Sequence, residues 1–164
     1  MDTTCTYGSA NFTSANQSFG ICLKTNSLGL YADVGSITGG YSNILMYPRR
    51  DAGNFGTRCD DQTVQNTANT NSIGLFAVNR VSSTQYKQYI DGAVFGTITS
   101  NSTILATPAQ NAEEIFLAAL NNGGSAVQYS NRKQTLAYAG LGMTDTQVGD
   151  LYIAWNTLET ALNR

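Results

Sequence analysis

Apolar and polar residues alternate with a period of two along many short segments of the chain. Within residues 18–24, Phe19, Ile21 and Leu23 fall on one side of an extended backbone, and smaller or charged residues fall on the other. Such alternation predicts a half-buried strand. Residues 73–80 are apolar on both sides, as expected for a strand in the centre of a sheet. Further strands are predicted at residues 28–34, 42–47, 85–90, 93–99, 114–120 and 132–139.

Turn-forming residues separate these segments. The sharpest signal is Asp91-Gly92, which lies between two β-rich runs. Both central residues of a type I′ turn need a positive φ, so this pair predicts a tight hairpin. Loops or turns are also expected at five other places: the Gly-rich stretch that ends at Gly39-Gly40, and residues 49–54, 60–72, 82–83 and 121–124.

The end of the chain carries a helical pattern over about residues 145–162. Thr144 and Gln147 have the spacing of a capping box, and Met143 and Val148 have that of a hydrophobic staple. Apolar residues then recur every three or four positions: Val148, Leu151, Tyr152, Trp155, Leu158 and Leu162. We therefore predict one helix whose apolar side, including Trp155, is buried as core.

About ten short strands with frequent turns and one terminal helix predict an all-β fold. The expected architecture is a two-sheet antiparallel jelly-roll sandwich with one C-terminal helix. The chain has 164 residues, which is the length of one domain. No linker-like segment or internal repeat divides it. Residues 1–164 are therefore predicted to form a single domain.

Composition excludes several classes of function. The chain has no histidine, so Ser-His-Asp catalysis, Cys-His catalysis and histidine-ligated metals are excluded. The net charge is −2, from 9 Lys+Arg and 11 Asp+Glu, and no basic stripe indicates nucleic-acid binding. No apolar run has the roughly 18 residues of a membrane span. Residues 1–5 lack the features of a signal peptide, so we expect synthesis in a cytoplasm.

The cysteines are Cys5, Cys22 and Cys59. Their number is odd and their spacings fit no zinc motif, so we interpret them as small, partly buried residues in a reducing compartment. Asn-x-Ser/Thr sequons at Asn11 and Asn16, and a third at Asn101, are interpreted as accidental in a chain rich in Asn and Thr.

Paired carboxylates for glycoside hydrolysis are poorly represented. The only glutamates are Glu113, Glu114 and Glu159. Adjacent residues on a strand point to opposite faces, so Glu113 and Glu114 cannot form the pair about 5 Å apart that a retaining glycosidase uses. Asp60 and Asp61 are the only candidates for a metal site, which would hold calcium, but a charged loop is the preferred interpretation. We therefore predict no enzymatic activity and no cofactor.

The chain is instead rich in amides, hydroxyls and aromatic rings, with 9 Tyr and 6 Phe. Flat rings and planar amides suit the apolar faces and hydroxyl edges of sugars. The segment from Tyr47 to Asp51 combines an aromatic residue with forked donors and an acceptor. The candidate glycan-binding residues are Tyr31, Tyr41, Tyr47, Arg49, Arg50 and Asp51. The alternative is that the tyrosines pack across strands and that Arg49, Arg50 and Asp51 form a solvated turn.

Three segments carry a family resemblance: residues 76–80, 85–92 and 115–123, with Asp91-Gly92 closing the central hairpin. They resemble the concanavalin A-like, laminin-G-like jelly-roll family. Residues 129–152, in which an arginine-led strand runs into Leu141-Gly142 and then a helix, look like the ending of phage tail and virion domains of this type. The resemblance covers about residues 73–164 and indicates a fold better than an activity.

This resemblance implies a non-enzymatic domain on a virion surface, as a terminal module of a tail or head fibre. It would attach to a cell-surface glycan or another host receptor and contact other virion proteins. Homotrimers are expected by analogy with fibres. Two other functions remain open: a structural spacer or oligomerisation module without a ligand, and a glycan hydrolase. A groove with exposed aromatics would favour binding, whereas faces buried between subunits would favour the spacer.

Overall fold

The computed structural model describes residues 16–38, 41–61, 63–99 and 114–163. Within these ranges the chain forms twelve strands and one helix. The strands are β1 (Gln17–Leu23), β2 (Val34–Thr38), β3 (Tyr41–Arg50), β4 (Asn54–Cys59), β5 (Gln65–Ala68), β6 (Gly74–Arg80), β7 (Gln85–Ile90), β8 (Ala93–Thr99), β9 (Phe116–Leu117), β10 (Leu120–Asn122), β11 (Ser125–Val127) and β12 (Gln134–Gly140). The helix is α1 (Asp145–Ala161).

The strands form two sheets. The first is antiparallel throughout, in the order β12-β1-β6-β7-β8. The second has seven strands, in the order β11-β10-β2-β3-β4-β5, and β9 also pairs with β2. Its pairs are antiparallel except for β10 with β2. The predicted two-sheet sandwich with a C-terminal helix is confirmed.

The core lies between the sheets and follows from the alternation along the strands. In β1, Phe19, Ile21 and Leu23 are all fully buried and belong to one apolar cluster. The rings of Phe55 in β4 and Phe76 in β6 meet edge to face across the sheets, with centroids 5.2 Å apart. Cys22 and Cys59 are free thiols and are buried, more fully than the partial burial that was predicted. Cys5 lies outside the described residues.

One polar group crosses this core. The Gln88 side chain is fully buried in β7, and its Nε2 donates to Thr57 Oγ1 (2.8 Å) and to the Phe55 carbonyl (3.3 Å) in β4. The hydroxyls of Tyr86 and Thr57 lie 3.0 Å apart, and Thr67 Oγ1 donates to Gln88 Oε1 (2.5 Å). Because buried polar groups need partners, these bonds link the two sheets at defined positions.

The predicted hairpin is confirmed. Strand β7 ends at Ile90, and β8 begins at Ala93. The two residues between them, Asp91 and Gly92, have φ of 50° and 79°. Asp91 Oδ1 also accepts from the Leu75 N–H at 2.9 Å, which fixes the carboxylate against β6. The turn geometry and this side-chain bond together explain why Asp precedes Gly here.

The helix begins as predicted. Thr144 and Gln147 form the complete capping box, and Val148 is fully buried with Met143 packed beside it. The predicted apolar side is only partly right, because Leu158 and Leu162 are 46% and 48% exposed. Trp155 is half-buried, and the buried residue near the end of α1 is Glu159. No helix in the described part of the chain is long and apolar enough to cross a membrane.

Several predicted strand limits are wrong. Residues 28–33 form no strand, and β2 instead occupies residues 34–38, where a Gly-rich loop was expected. Strand β5 lies in a segment predicted as a loop, and β4 lies in residues 54–59, for most of which no element was predicted. Residues 114–120 contain only β9 and the start of β10. Strand β5 was missed because Gln65–Ala68 has no alternation of apolar and polar residues, and its extended structure comes from pairing with β4, which in turn pairs with β3.

Candidate functional site

The β3–β4 hairpin carries a polar surface that contains several of the predicted site residues. Ile44 and Met46 point into the core, so Leu45 and Tyr47 lie on the outer face of the seven-stranded sheet. The pairing of β3 with β4 shifts between Tyr47 and Arg50. This irregularity accommodates Pro48, which has no N–H to donate to the ladder. It sets Arg50 opposite Asn54, next to the turn that joins the strands.

Four side chains lie around Tyr47 on this face. The Arg50 guanidinium lies 5.6 Å from the Tyr47 ring centroid, and Arg50 Nε lies 2.8 Å from Asp51 Oδ1. The Tyr47 hydroxyl donates to Gln128 Oε1 at 2.5 Å. Arg58 in β4 is paired with Leu45, so its side chain shares the outer face. Tyr47 itself is only 4% exposed and therefore supports Arg50 from below.

A missing side chain makes room for Arg50. A Cβ atom at Gly56 would lie 3.3 Å from Arg50 Cδ and 3.0 Å from Asn66 Oδ1. Glycine therefore lets Arg50 and Asn66 approach each other across β4. A depression of about 230 Å³ opens there, lined by Arg50, Asp51, Ala52, Asn54 and Asn66. We call Tyr47, Arg50, Asp51, Arg58 and Asn66 the arginine surface.

Electrostatics favour an anion at the arginine surface. Burial lowers the pKa of the Arg58 guanidinium, and the neighbouring Arg50 charge lowers it further, whereas Asp61 acts in the opposite direction. Burial also raises the pKa of Tyr47, so its hydroxyl stays neutral at physiological pH. In the described ranges, Arg58 Nε is buried without a hydrogen-bond partner. Two neighbouring guanidinium groups, one of which also pairs with Asp51, present N–H donors suited to a carboxylate ligand.

The other predicted residues lie elsewhere. Arg49 follows Pro48 on the opposite side of β3 from Arg50, and its Nη1 donates to Asn26 Oδ1 at 3.0 Å. Tyr31 lies under the buried Arg132 guanidinium, 5.6 Å from its ring centroid. The Tyr41 side chain lies outside the described part of the chain. Of the six candidates, the structure brings together Tyr47, Arg50 and Asp51, and sequence reasoning missed Arg58 and Asn66.

The candidate metal ligands have structural roles. Asp60 is fully buried with φ 53°, and its carboxylate accepts from the Gln17 amide. Asp61 accepts from the Thr63 N–H (3.1 Å) and from Gln65 Nε2 (2.9 Å). Within the described ranges, no three His, Cys, Asp or Glu side chains are grouped to hold a metal. The two adjacent carboxylates stabilise the start of the β4–β5 connection.

The carboxylates considered for hydrolysis do not converge. Glu159 is buried on α1 and pairs with Lys24 at 3.0 Å. Glu114 is exposed, and its carbonyl accepts from Asn121 in the seven-stranded sheet, whereas α1 packs on the five-stranded sheet. Glu113 lies outside the described residues. Glu114 and Glu159, the two glutamates that the structure describes, therefore lie against different sheets of the sandwich.

The sequence matches no protein-family model and no curated protein sequence. The fold is similar to solved structures. The CBM40 module of the Ruminococcus gnavus IT-sialidase, solved with α2,3-sialyllactose bound, is 14% identical with a TM-score of 0.55. The match covers 91% of this chain and 95% of that module.

Two larger proteins contain similar domains. The binding domain of Paraclostridial Mosquitocidal Protein 1 is 15% identical with a TM-score of 0.53, over 88% of this chain and 38% of that one. The NanB sialidase of Streptococcus pneumoniae is 13% identical with a TM-score of 0.51, over 84% of this chain and 24% of that one. This chain therefore has the jelly-roll-like sandwich fold of CBM40 carbohydrate-binding modules.

Proposed function

We propose that the protein is a non-enzymatic glycan-binding domain and that the arginine surface binds acidic, sialylated glycans. The observation that carries the proposal is the pair of arginines, Arg50 and Arg58, on the outer face of the seven-stranded sheet, where Arg50 lines a depression of about 230 Å³. A guanidinium group presents paired N–H donors to a carboxylate, which gives both charge recognition and orientation.

The remaining groups of the arginine surface suit the rest of a sugar. Asp51 is 61% exposed in its side chain, and Asn66 is exposed on β5, so both offer polar atoms for hydroxyl groups. Tyr47 orders Arg50 rather than stacking on the ligand, because its ring is covered. Ordering the guanidinium before binding reduces the entropy that the ligand must otherwise overcome.

The fold comparison supports the ligand class. The Ruminococcus gnavus module of similar fold was solved with α2,3-sialyllactose, a glycan that carries one carboxylate. A carboxylate between Arg50 and Arg58 would accept from the outer N–H groups of both guanidinium groups. The two described glutamates, Glu114 and Glu159, lie against different sheets, which supports binding rather than hydrolysis by a glutamate pair.

The test is calorimetric titration with 3′-sialyllactose and with lactose, which lacks the carboxylate. We expect sialyllactose to bind at least about tenfold more tightly than lactose. Arg50→Gln and Arg58→Gln should each remove most of this difference, whereas Lys87→Gln, a loss of a partly exposed cation on the other sheet, should retain it. Equal binding of the two sugars, or no binding by sialyllactose at about 10 mM, would contradict the proposal.

We further propose that this domain lies on a virion surface as part of a homotrimeric fibre. This proposal is supported by the sequence resemblance of residues 129–152 alone. Light scattering on a size-exclusion column tests the oligomeric part. A mass about three times 17.5 kDa is expected, and a mass of one chain would contradict the trimer. Detection of the chain in purified particles tests the location.

A further inference from the structure

A second groove lies on the other side of the sandwich, between α1 and the five-stranded sheet. It has two compartments, of about 290 Å³ and 510 Å³. Trp155 and Tyr152 line the first, and Gln134 and Thr135 line the second. We propose that this helix groove is a separate binding site for a neutral oligosaccharide.

The shape of the helix groove fits a short chain of sugar rings. Both compartments are bounded by the same ion pair, Lys24 with Glu159 at 3.0 Å, so they adjoin along one side of α1. Ligand pockets in proteins have volumes of roughly 300–1,000 Å³. The smaller compartment is near the lower limit, and the larger lies within the range, so together they suit two or three linked rings rather than one.

The charge in the helix groove is balanced. Lys24 and Glu159 neutralise each other, and Asp91 at one end is matched by Lys133 at the other. The groove therefore has no excess charge to attract an anion or a cation, in contrast to the arginine surface. Electrostatics favour an uncharged ligand.

Polar atoms in the helix groove remain available. Asp91 Oδ1 is used by the Leu75 N–H, whereas Oδ2 has no partner in the described chain, and Asp91 is exposed. The Asp91 carboxylate raises the pKa of Tyr152, which indicates that this tyrosine lies near it. In the same described ranges, Trp155 Nε1 and Thr135 Oγ1 are buried and have no hydrogen-bond partner.

These groups indicate a polyhydroxylated ligand. Aromatic side chains pack on the C–H faces of sugars, while a free carboxylate oxygen and amides bond to hydroxyl groups. Small rotations of Trp155 and Thr135 would let their unpaired atoms reach a ligand lying over them, which would offset the cost of burying them. An apolar ligand would leave all of these polar groups unsatisfied.

The sole tryptophan provides the readout. Fluorescence of Trp155 should change saturably when cellotriose, maltotriose or tri-N-acetylchitotriose is added, and bound trisaccharide should protect the ring from acrylamide quenching. Asn156→Phe places a bulky ring at the exposed rim of the first compartment and should weaken binding about tenfold or more. The matched control is Thr157→Phe, because Thr157 follows Asn156 on α1 but does not line the groove. This variant should bind the trisaccharide as the parent protein does.

The outcomes separate the two sites. Arg58→Gln should leave the trisaccharide response intact, because the arginine surface lies on the opposite sheet. The helix-groove proposal is overturned if none of the three trisaccharides changes Trp155 fluorescence or quenching at about 10 mM. It is also overturned if Asn156→Phe, folded by circular dichroism, binds as tightly as Thr157→Phe. Neither result would affect the prediction for sialyllactose at the arginine surface.

Discussion

Arg132 Nη1 lies 2.5 Å from Asp33 Oδ2, and both side chains are completely buried. The same guanidinium donates to three carbonyls, those of Ser27 (2.6 Å), Arg49 (2.9 Å) and Tyr31 (3.2 Å). Asp33 in turn accepts from Ser130 Oγ at 2.6 Å. Arg132 therefore holds the irregular segment before β2 against the end of β3.

Replacing Arg132 with Met should lower the free energy of unfolding by about 3–5 kcal/mol at pH 7, because Asp33 remains as an unpaired buried charge. Urea denaturation measures the loss. Burial already raises the pKa of Asp33, and Arg132 is the main group that opposes this rise. The folded-state pKa of Asp33 lies above 3.8 and rises further without Arg132, so the deficit of Arg132→Met should shrink as the pH falls from 7 towards 3.8 and the buried carboxyl takes up a proton.

The second substitution in this experiment is Asp33→Asn. Added to Arg132→Met, it should recover part of the lost stability at pH 7, because the buried charge is gone. Lys87→Met, at a partly exposed ion pair with Asp145, is the control and should cost about 1 kcal/mol or less. A loss of similar size for Arg132→Met and Lys87→Met would contradict the role given to Arg132.

Asp145 should stabilise the fold only above acidic pH. Hydrogen bonds from Lys87 and then Tyr89 lower the pKa of this carboxyl below its ordinary value of 3.8. A lowered folded-state pKa contributes stability that is present above 3.8 and lost as the pH falls through the folded value. Asp145→Asn should therefore cost less than about 1 kcal/mol at pH 7, and its deficit should shrink as the pH falls below 3.8. A deficit that grows on acidification would be the opposite of this expectation.

Gly92 should be intolerant of even a methyl group. Its φ is 79°, and an added Cβ would lie 2.9 Å from Tyr152 Cβ and 3.0 Å from Gly149 Cα. Gly92→Ala should lower the free energy of unfolding by about 2–4 kcal/mol, from backbone strain together with displacement of α1. Gly123→Ala is the matched control, because its φ is 58° and nothing lies within 4 Å. Gly123→Ala should lower the free energy of unfolding by about 1 kcal/mol. Equal losses for the two variants would show that contact with α1 adds nothing to the effect of Gly92→Ala.

Gly56→Ala should weaken sialyllactose binding without removing a charge. The added methyl group would contact Arg50 Cδ and Asn66 Oδ1, so the guanidinium must shift away from its position over Tyr47. We expect a loss of affinity of about three- to tenfold by calorimetry. Gly140→Ala, where nothing lies within 4 Å, should bind as the parent protein does. Unchanged affinity in Gly56→Ala would show that the position of Arg50 does not matter.

The hairpin turn and the start of α1 were predicted correctly because residues next to each other in the sequence determine them. Asp91-Gly92 has the backbone freedom that its turn needs, and Thr144 with Gln147 satisfies the first turn of α1 without help from distant residues. Strands β4 and β5 lack such signals. Their extended structure depends on the pairing of β4 with β3 and of β5 with β4, which no local pattern predicts.

The candidate site was predicted in part for a similar reason. Tyr47, Arg50 and Asp51 are close in sequence and remain close in the structure. Arg49 was grouped with them, but neighbouring strand residues point in opposite directions, so it bonds to Asn26 instead. Arg58 joins the site through the register of β3 with β4, which the sequence alone does not define.

The polar crossing made by Gln88, Thr57 and Tyr86 has a consequence for how the sandwich assembles. An all-apolar interface would tolerate sliding of one sheet over the other, since one aliphatic contact replaces another at little cost. Here a displacement by a single residue would leave a buried amide and two hydroxyls without partners, each costing about 1–3 kcal/mol. The two sheets can therefore pack in only one alignment. This alignment also fixes the position of the arginine surface relative to the helix groove.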